Sequence, residues 1–267
     1  MITPTPEQLS KIKYDELLIM KEIHRICSSN HISYSLFFGT LLGAIRHKGF
    51  IPWDDDIDIV MSVEDYVLFK ENCTKSLSKD MFLQDNITEP NSCRPYTAKI
   101  RLNGTCLLEN TNKNKNMHNG VWVDIFLYKK FDGNPKTIKK GQKLYKIFKT
   151  RRDALLLSHK SLKGKIASLE FLLFHPFSVN YYRNKYQRFL DKVEINGDKL
   201  LMPDCDPSLY SLDAALLTKT KLSTFEDTEF YIVSDYDIIL TALYGNYMEL
   251  PSADKQVSSH KFIRIKL

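Results

Sequence analysis

Between Thr5 and Asn30, apolar residues return at near-helical intervals: Leu9, Ile12, Met20, Ile23 and Cys27. That spacing predicts an amphipathic helix. Its start is marked by Thr5-Pro6-Glu7-Gln8, a Thr cap with Pro at the first helical position and Gln three residues after the cap. Ser28-Ser29-Asn30 stops it. An extended run over 32–38 follows, then a short helix with Thr40 as its N-cap. Ser62-Val63-Glu64-Asp65 opens a second long helix marked by Tyr66, Phe69 and Leu77. Tyr96 to Leu102 reads as a strand. Asn103-Gly104 is a turn signal that predicts 105–109 as its hairpin partner. The Asn/Lys-rich stretch 110–119 is a polar loop, and Val121 to Phe126 a further strand. From Pro135 to about Leu201 the pattern is helical, with an apolar section from Leu169 to Tyr182 broken at His175-Pro176. Ser234-Asp235-Tyr236-Asp237 starts a last helix that Gly245 ends.

This mixture predicts an α+β protein, a small sheet with helices on one or both sides. At 267 residues and 43% hydrophobic content the chain can bury a core as one domain, or as one domain with a helical insert. The expected division is a core over 1–128, a basic helical segment over 129–205, and a C-terminal part over 206–267 that completes the core. The net charge of +6 is unevenly placed: residues 129–165 carry thirteen Lys or Arg against Asp132 and Asp153, while the flanking parts are slightly acidic. No run of about 18 apolar residues exists to span a membrane, and the N-terminus lacks the basic and apolar regions of a signal peptide. Five cysteines without C-x-x-C spacing (Cys27, Cys73, Cys93, Cys106, Cys205) suit reduced thiols in a cytoplasm, most of them serving as small core hydrophobes.

Chemistry concentrates at Gly49 to Met61, GFIPWDDDIDIVM, where four carboxylates in five positions run into a β-branched strand. Crowded carboxylates repel by roughly 4 kcal/mol per close pair near a surface, so something cationic should offset them. Alternation along Ile57-Asp58-Ile59-Val60 puts Asp56 and Asp58 on one face and Ile57 and Ile59 on the other. Two carboxylates at a strand end make a hard-cation site suited to Mg²⁺ or Mn²⁺. Asp124 sits within Val-Trp-Val-Asp-Ile-Phe, where an unpaired charge would cost several kcal/mol. Either a metal or a partner Lys or Arg removes that cost. Upstream, Gly39 lets a ligand approach the backbone, and the helix start after it attracts phosphate.

The string from Gly39-Thr40-Leu41-Leu42-Gly43-Ala44-Ile45-Arg46-His47 through Trp53-Asp54-Asp55-Asp56-Ile57-Asp58 resembles the signature of the LicD family of bacterial phosphocholine transferases, relatives of the human fukutin-related ribitol-phosphate transferase. Asn119-Gly120-Val121-Trp122-Val123-Asp124-Ile125-Phe126 is similar to that family's second acidic strand. Phe225-Glu226-Asp227 and Tyr244-Gly245-Asn246-Tyr247-Met248-Glu249-Leu250-Pro251 are similar to its C-terminal signature. Leu127 departs from the proline often found there. The resemblance covers about residues 7–126 and 222–251. It implies a nucleotidyltransferase-like small mixed sheet flanked by helices, with the basic helical segment as an insert.

The resemblance further implies transfer of phosphocholine from CDP-choline to a hydroxyl of a cell-surface glycan or its lipid-linked precursor, with release of CMP. Asp56, Asp58 and Asp124 are expected to hold Mg²⁺ or Mn²⁺. Asp54 is expected as the general base, or as support for a second metal. Gly39 and Thr40 would meet the donor phosphates, with Arg46, Lys99 and Arg101 as diphosphate clamps; alternation puts Lys99 and Arg101 on one strand face. His47 either caps helix carbonyls or is catalytic. A quaternary ammonium binds aromatic faces, so a cage is expected from Trp53, Trp122, Tyr34, Phe38, Tyr244 and Tyr247, with Trp53 and Trp122 favoured by proximity to the aspartates.

Three other readings compete. A CDP-ribitol or CDP-glycerol donor would keep the chemistry and change the cargo. Nucleotidyl transfer from NTP would share the Gly-Thr and Asp-x-Asp features. Nucleic-acid binding through 129–165 would leave the three carboxylates unexplained, so no nucleic-acid partner is expected. The basic stretch and the apolar residues 166–182 either contact the cytoplasmic membrane peripherally or form a solvated face and a packed core.

Overall fold

The computed structural model describes residues 2–90, 94–113, 116–155, 162–203, 212–258 and 260–267. Cys93, Cys205, the middle of the Asn/Lys-rich loop, part of the basic segment at 156–161 and the boundary at 205/206 lie outside them. The chain order is α1 (Pro6–Ser29), β1 (Ser35–Leu36), α2 (Phe38–Arg46), β2 (Ile57–Ser62), α3 (Val63–Ser76), β3 (Met81–Gln84), β4 (Thr97–Leu102), β5 (Cys106–Glu109) and β6 (Trp122–Phe131). Then come α4 (Pro135–Leu155), α5 (Leu162–Phe174), α6 (Val179–Asp191), β7 (Lys199–Leu201), β8 (Thr220–Phe225), β9 (Thr228–Val233), α7 (Tyr236–Tyr244) and β10 (Phe262–Lys266).

The strands form a mixed sheet in the order β3-β4-β6-β2-β1-β9-β8, with β7 added to the far end of β6. β2 and β6 run parallel at its centre, while β4 pairs antiparallel with β6. Parallel central strands are covered on both faces, and Ile57, Ile59, Val123 and Ile125 are accordingly buried. α1 and α3 pack together and against the central strands. The capping box at Thr5 and Gln8 forms as its sequence dictates, and Ser62 caps α3. The fold is α+β, as expected.

Four local expectations change. The extended run at 32–38 pairs only at Ser35–Leu36, and α2 already begins at Phe38. Thr40 therefore lies inside the helix, and its hydroxyl accepts a hydrogen bond from the Asp58 amide at 2.8 Å rather than capping. β5 does not fold back on β4. It pairs with β10, while β4 lies between β3 and β6. The short strands β3 and β7 through β10 carry no pattern strong enough to set them apart from loop.

The helical segment is anchored to the end of β6. Phe131, Tyr186, Leu190 and Leu201 form a separate small core there. Lys129, counted in the basic segment, is buried, and its ammonium donates to the carbonyls of Leu190 (2.7 Å) and Val193 (2.5 Å) at the end of α6. It caps that helix as a cation should. No helix of the described residues is long and apolar enough to cross a membrane.

Candidate active site

The site grows from the register of two strands. β2 and β6 run parallel with Asp58 opposite Asp124, and β4 places Lys99 opposite Asp124 from the other side. Carboxylates on adjacent strands thus meet at one level of the sheet, while Ile57, Ile59, Val123 and Ile125 hold both strands from the core. Asp54 and Asp56 join them from the preceding loop. Burial, and then Asp56, Asp124 and Asp54, push the Asp58 carboxyl well above the ordinary carboxylate range. Burial and Asp54 raise Asp56 to about 8, against a lowering pull from His260. Asp54 is also raised, by burial and by Asp55.

Asp124 behaves differently. Burial would raise its carboxyl, but Lys99, aided by the field of Arg94 and a hydrogen bond from Trp122, brings it below the ordinary range. The Lys99 ammonium donates to Asp124 Oδ2 at 2.7 Å and the Trp122 indole N–H to the same oxygen at 2.6 Å. The lysine partner is therefore real, and burial of Asp124 alone does not require a metal. Its other oxygen, Oδ1, is buried without a hydrogen-bond partner. A buried carboxylate oxygen left unmatched beside three mutually repelling carboxyls is a donor set that fits a divalent cation.

A second cationic counterweight arrives from the far end of the chain. His260 Nδ1 lies 3.0 Å from Asp55 Oδ1 and 3.9 Å from Asp56. Burial alone would lower the His260 pKa; the hydrogen bond to Asp55 and the charges of Asp56 and Asp55 raise it to about 9. Asp55 is fully buried, with its second oxygen accepting from Ser258 at 2.5 Å. Asp55, Asp56 and His260 offer ligand atoms within 4.8 Å of one another, an acidic cluster able to hold a metal. In the present arrangement both Asp55 oxygens and His260 Nδ1 already have protein partners, whereas Asp124 Oδ1 has none.

Glu16, on α1, completes the acidic group. It is fully buried, neither oxygen has a hydrogen-bond partner, and burial followed by Asp56, Asp55, Asp54 and Asp58 raises its carboxyl strongly. Asp55, His260 and Glu16 were not singled out by sequence reasoning. Asp55 stood in plain view within the DDD run, but only its neighbours share the strand-face alternation. The demand for a cation was legible; its source 205 residues away was not.

Other expected residues take roles set by packing. A Cβ on Gly39 would lie 2.7 Å from Asp54 Oδ2, so the glycine makes room for the aspartate itself. Arg46 Nη1 donates to the Tyr247 and Glu249 carbonyls at 2.7 and 3.2 Å, and its Nε to His47 Nε2 at 3.0 Å. The expected phosphate clamp thereby ties α2 to the C-terminal signature loop, and His47 is its acceptor. Arg101 is 2% exposed, bonded to Gln84 Oε1 and the Gly120 carbonyl at 2.7 Å each and seated over the Trp122 ring. That corrects its assignment as a diphosphate clamp: it braces Trp122. Trp122 is 1% exposed with the Lys99 ammonium 4.4 Å from its ring centre, so it cannot wall a ligand cage; it positions Asp124. Tyr34 is likewise interior, bonded to His24. Of the aromatic candidates, Trp53 is partly exposed and packs edge-on to His47, and Tyr244 is exposed and feels the charges of Asp58, Asp54 and Asp56.

The C-terminal signature has a structural account. Glu226 Oε1 accepts from the Phe50 amide at 3.0 Å, and a Cβ on Gly49 would meet that oxygen at 2.2 Å. The glycine permits a clip that fixes the loop entering the aspartates.

Paired carboxylates on adjacent strands, approached by the glycine-bearing first turn of α2, form an arrangement suited to a divalent cation and to chemistry on phosphate. The comparisons agree: residues 31–150 match the model of the LicD/FKTN/FKRP nucleotidyltransferase domain. It is 29% identical over 255 residues, 91% of this chain and 92% of the relative, to the lipopolysaccharide cholinephosphotransferase LicD of Haemophilus influenzae. Shorter matches are to uncharacterized proteins of Rickettsia typhi, 47% identical over 53 residues (20% of this chain, 17% of the relative), and Rickettsia prowazekii, 49% over 49 residues (18% of each).

Proposed function

We propose that this protein is a phosphotransferase that moves phosphocholine from CDP-choline to a hydroxyl of a lipopolysaccharide glycan or its lipid-linked precursor, releasing CMP. The observation that carries the reading is the Asp58–Asp124 pair on neighbouring parallel strands, with Asp124 Oδ1 buried and unmatched. Support for the cargo comes from the cholinephosphotransferase relative, similar over nearly its whole length.

Asp56, Asp58 and Asp124 would hold Mg²⁺ or Mn²⁺, which supplies neutralisation of diphosphate charge when bound. Lys99 fixes Asp124 in its ionised form and retains further N–H groups for a donor phosphate oxygen. Trp122 donates to the same carboxylate and keeps it oriented. The acceptor hydroxyl oxygen forms a bond to the phosphocholine phosphorus as the bond to the CMP oxygen breaks, and its proton passes to Asp54. Burial makes that carboxyl more basic than an exposed aspartate, which suits a proton acceptor. Trp53 and Tyr244 present aromatic faces for the trimethylammonium group.

The exposed apolar residues Leu169, Leu173, Phe174 and Phe177 around the end of α5, next to the basic α4, support peripheral contact with the cytoplasmic membrane; Leu173 and Phe174 are 80% and 82% exposed. Co-sedimentation with anionic vesicles that falls with added salt supports that contact, and failure to bind at low salt removes it.

The decisive experiment incubates purified protein and Mg²⁺ with CDP-choline, CDP-ribitol, CDP-glycerol and CTP in separate reactions. CMP release specific to CDP-choline is expected. Preference for an alditol donor, or pyrophosphate release from CTP, overturns the cargo.

A further inference from the structure

Away from the aspartates, α4 and α6 enclose a recess of ≈ 710 Å³ beyond the end of β6. Lys140, Lys185, Arg188 and Lys192 line it, against the carboxylates Asp132 and Glu194. Those carboxylates are turned to local partners: Asp132 Oδ1 accepts from the Asn134 amide and Glu194 Oε2 from Asn196. Among the described residues, Lys185, Arg188 and Lys192 form no ion pair, and Lys140 lies 5.4 Å from the Phe189 ring centre. Against two carboxylates, four cations that form no ion pair among the described residues leave the lining with a net charge of +2, which an anion neutralises.

The rest of the lining narrows the ligand. Tyr181 and Phe189 line it with aromatic rings, and Asn184 and Asn196 keep an amide N–H group and an amide oxygen respectively beyond the bonds that Asn184 Oδ1 accepts from Arg183 and Asn196 Nδ2 donates to Glu194. Rings pack against the apolar face of a pyranose, and the remaining donor of Asn184 and acceptor of Asn196 match a sugar hydroxyl, which both accepts and donates. A flat lipid surface needs neither concavity nor amides, whereas a phosphorylated sugar uses both, together with the rings and the cations.

Position excludes a direct part in the reaction. Asp124 and Phe131 stand seven residues apart on β6, and the recess opens beyond Phe131. At about 3.3 Å per residue that is roughly 23 Å from the reacting carboxylates.

We propose that this recess is an exosite that grips a phosphorylated saccharide unit of the acceptor, remote from the sugar that receives the transferred group. The proposal rests on the reading of the acceptor as a glycan, and binding tests it independently of turnover.

The probe is the glycan of lipopolysaccharide freed of its lipid, with its phosphates intact or enzymatically removed, titrated calorimetrically into the full chain. The phosphorylated form binds, and dephosphorylation weakens it about tenfold or more. Lys185→Ala/Arg188→Ala, both at exposed positions, lowers affinity for the phosphorylated glycan by a similar factor while CMP release from the donor to water is unchanged. Inorganic phosphate at equal concentration does not displace the glycan. Equal binding of both glycan forms, wild-type affinity in the double variant, displacement by inorganic phosphate, or binding of anionic vesicles without binding of the glycan each overturns the exosite. Loss of donor turnover in the wild type, with glycan binding kept, would instead refute the proposed reaction.

Discussion

The Thr40 hydroxyl accepts the backbone N–H of Asp58 at 2.8 Å, joining α2 to the strand that carries Asp58. Both groups are largely withdrawn from water, so the bond sets the height of Asp58 against α2. Thr40→Val leaves the amide unmatched and is expected to destabilise by about 1–3 kcal/mol and to reduce turnover. Thr40→Ser, which keeps the hydroxyl, retains most of both. Thermal melts and CMP release on the two variants check this, and equal loss in both removes the hydrogen bond as the cause.

Asp56→Asn, Asp58→Asn and Asp124→Asn are each expected to abolish transfer, but with opposite effects on metal-free stability. Asp58 and Asp56 are strained by like charge, so their amides raise the melting temperature or leave it unchanged. Asp124 is the partner of Lys99, and its loss leaves a largely buried ammonium unmatched, so the melting temperature falls. Calorimetry in EDTA separates the two signs.

The pH dependence follows from Asp56 and His260. A carboxyl raised from 3.8 to about 8 holds its proton more tightly in the folded state, so its contribution to stability is complete below about 4 and is lost as pH rises through 8. His260, raised from 6.5 to about 9, contributes fully below 6.5 and loses that contribution as pH passes 9. Metal-free protein therefore loses stability between pH 5 and 9, and Asp56→Asn flattens that slope. Added Mg²⁺ stabilises more at pH 8 than at pH 5, because a proton and the cation compete for the same oxygens. A melting temperature that rises with pH in EDTA contradicts this.

Glu16→Met, close in volume, removes two buried oxygens that have no partner. Metal-free stability is expected to increase by about 1–3 kcal/mol, read by urea denaturation in EDTA. A loss of similar size shows that Glu16 has a stabilising partner in solution.

Trp53→Ala and Tyr244→Ala are expected to weaken CDP-choline binding severalfold while leaving CMP binding unaltered, by calorimetry with inactive Asp58→Asn as the parent. Trp122→Phe should leave donor affinity nearly intact and lower turnover, because it removes the N–H that orients Asp124. If Trp122→Phe costs the donor its affinity, the cage lies there after all.

Much of this arrangement was legible in the sequence wherever local pattern carries the physics. The capping box at Thr5, the cap at Ser62, the break at His175-Pro176 and the stop at Gly245 are signals spanning a few residues, and the structure repeats them. The strand position of Asp58 could be read because alternation along β2 is local too, while Asp56 lies just before that strand. What escaped depends on pairing between distant segments. β5 chose β10 over the adjacent β4 because β6 occupies that edge. Arg101 and Trp122 looked like ligand contacts, but only the fold shows that each buries the other. His260 lies in a stretch without motif or periodicity, and it was visible only as the missing positive charge.

The pairing of Ile2 with Phe262 through both backbone bonds, and of β10 with β5, carries His260 to Asp55. During synthesis the aspartates emerge 205 residues before the histidine that balances them, a lag of roughly 10–40 s at ribosomal speeds of about 5–20 residues per second. Throughout that interval the loop entering β2 carries its carboxylates without their histidine partner, and metal bound early would act as a placeholder for it. Pairing of β10 with β5 is then the event that brings the histidine to the aspartates and completes the charge balance of the site.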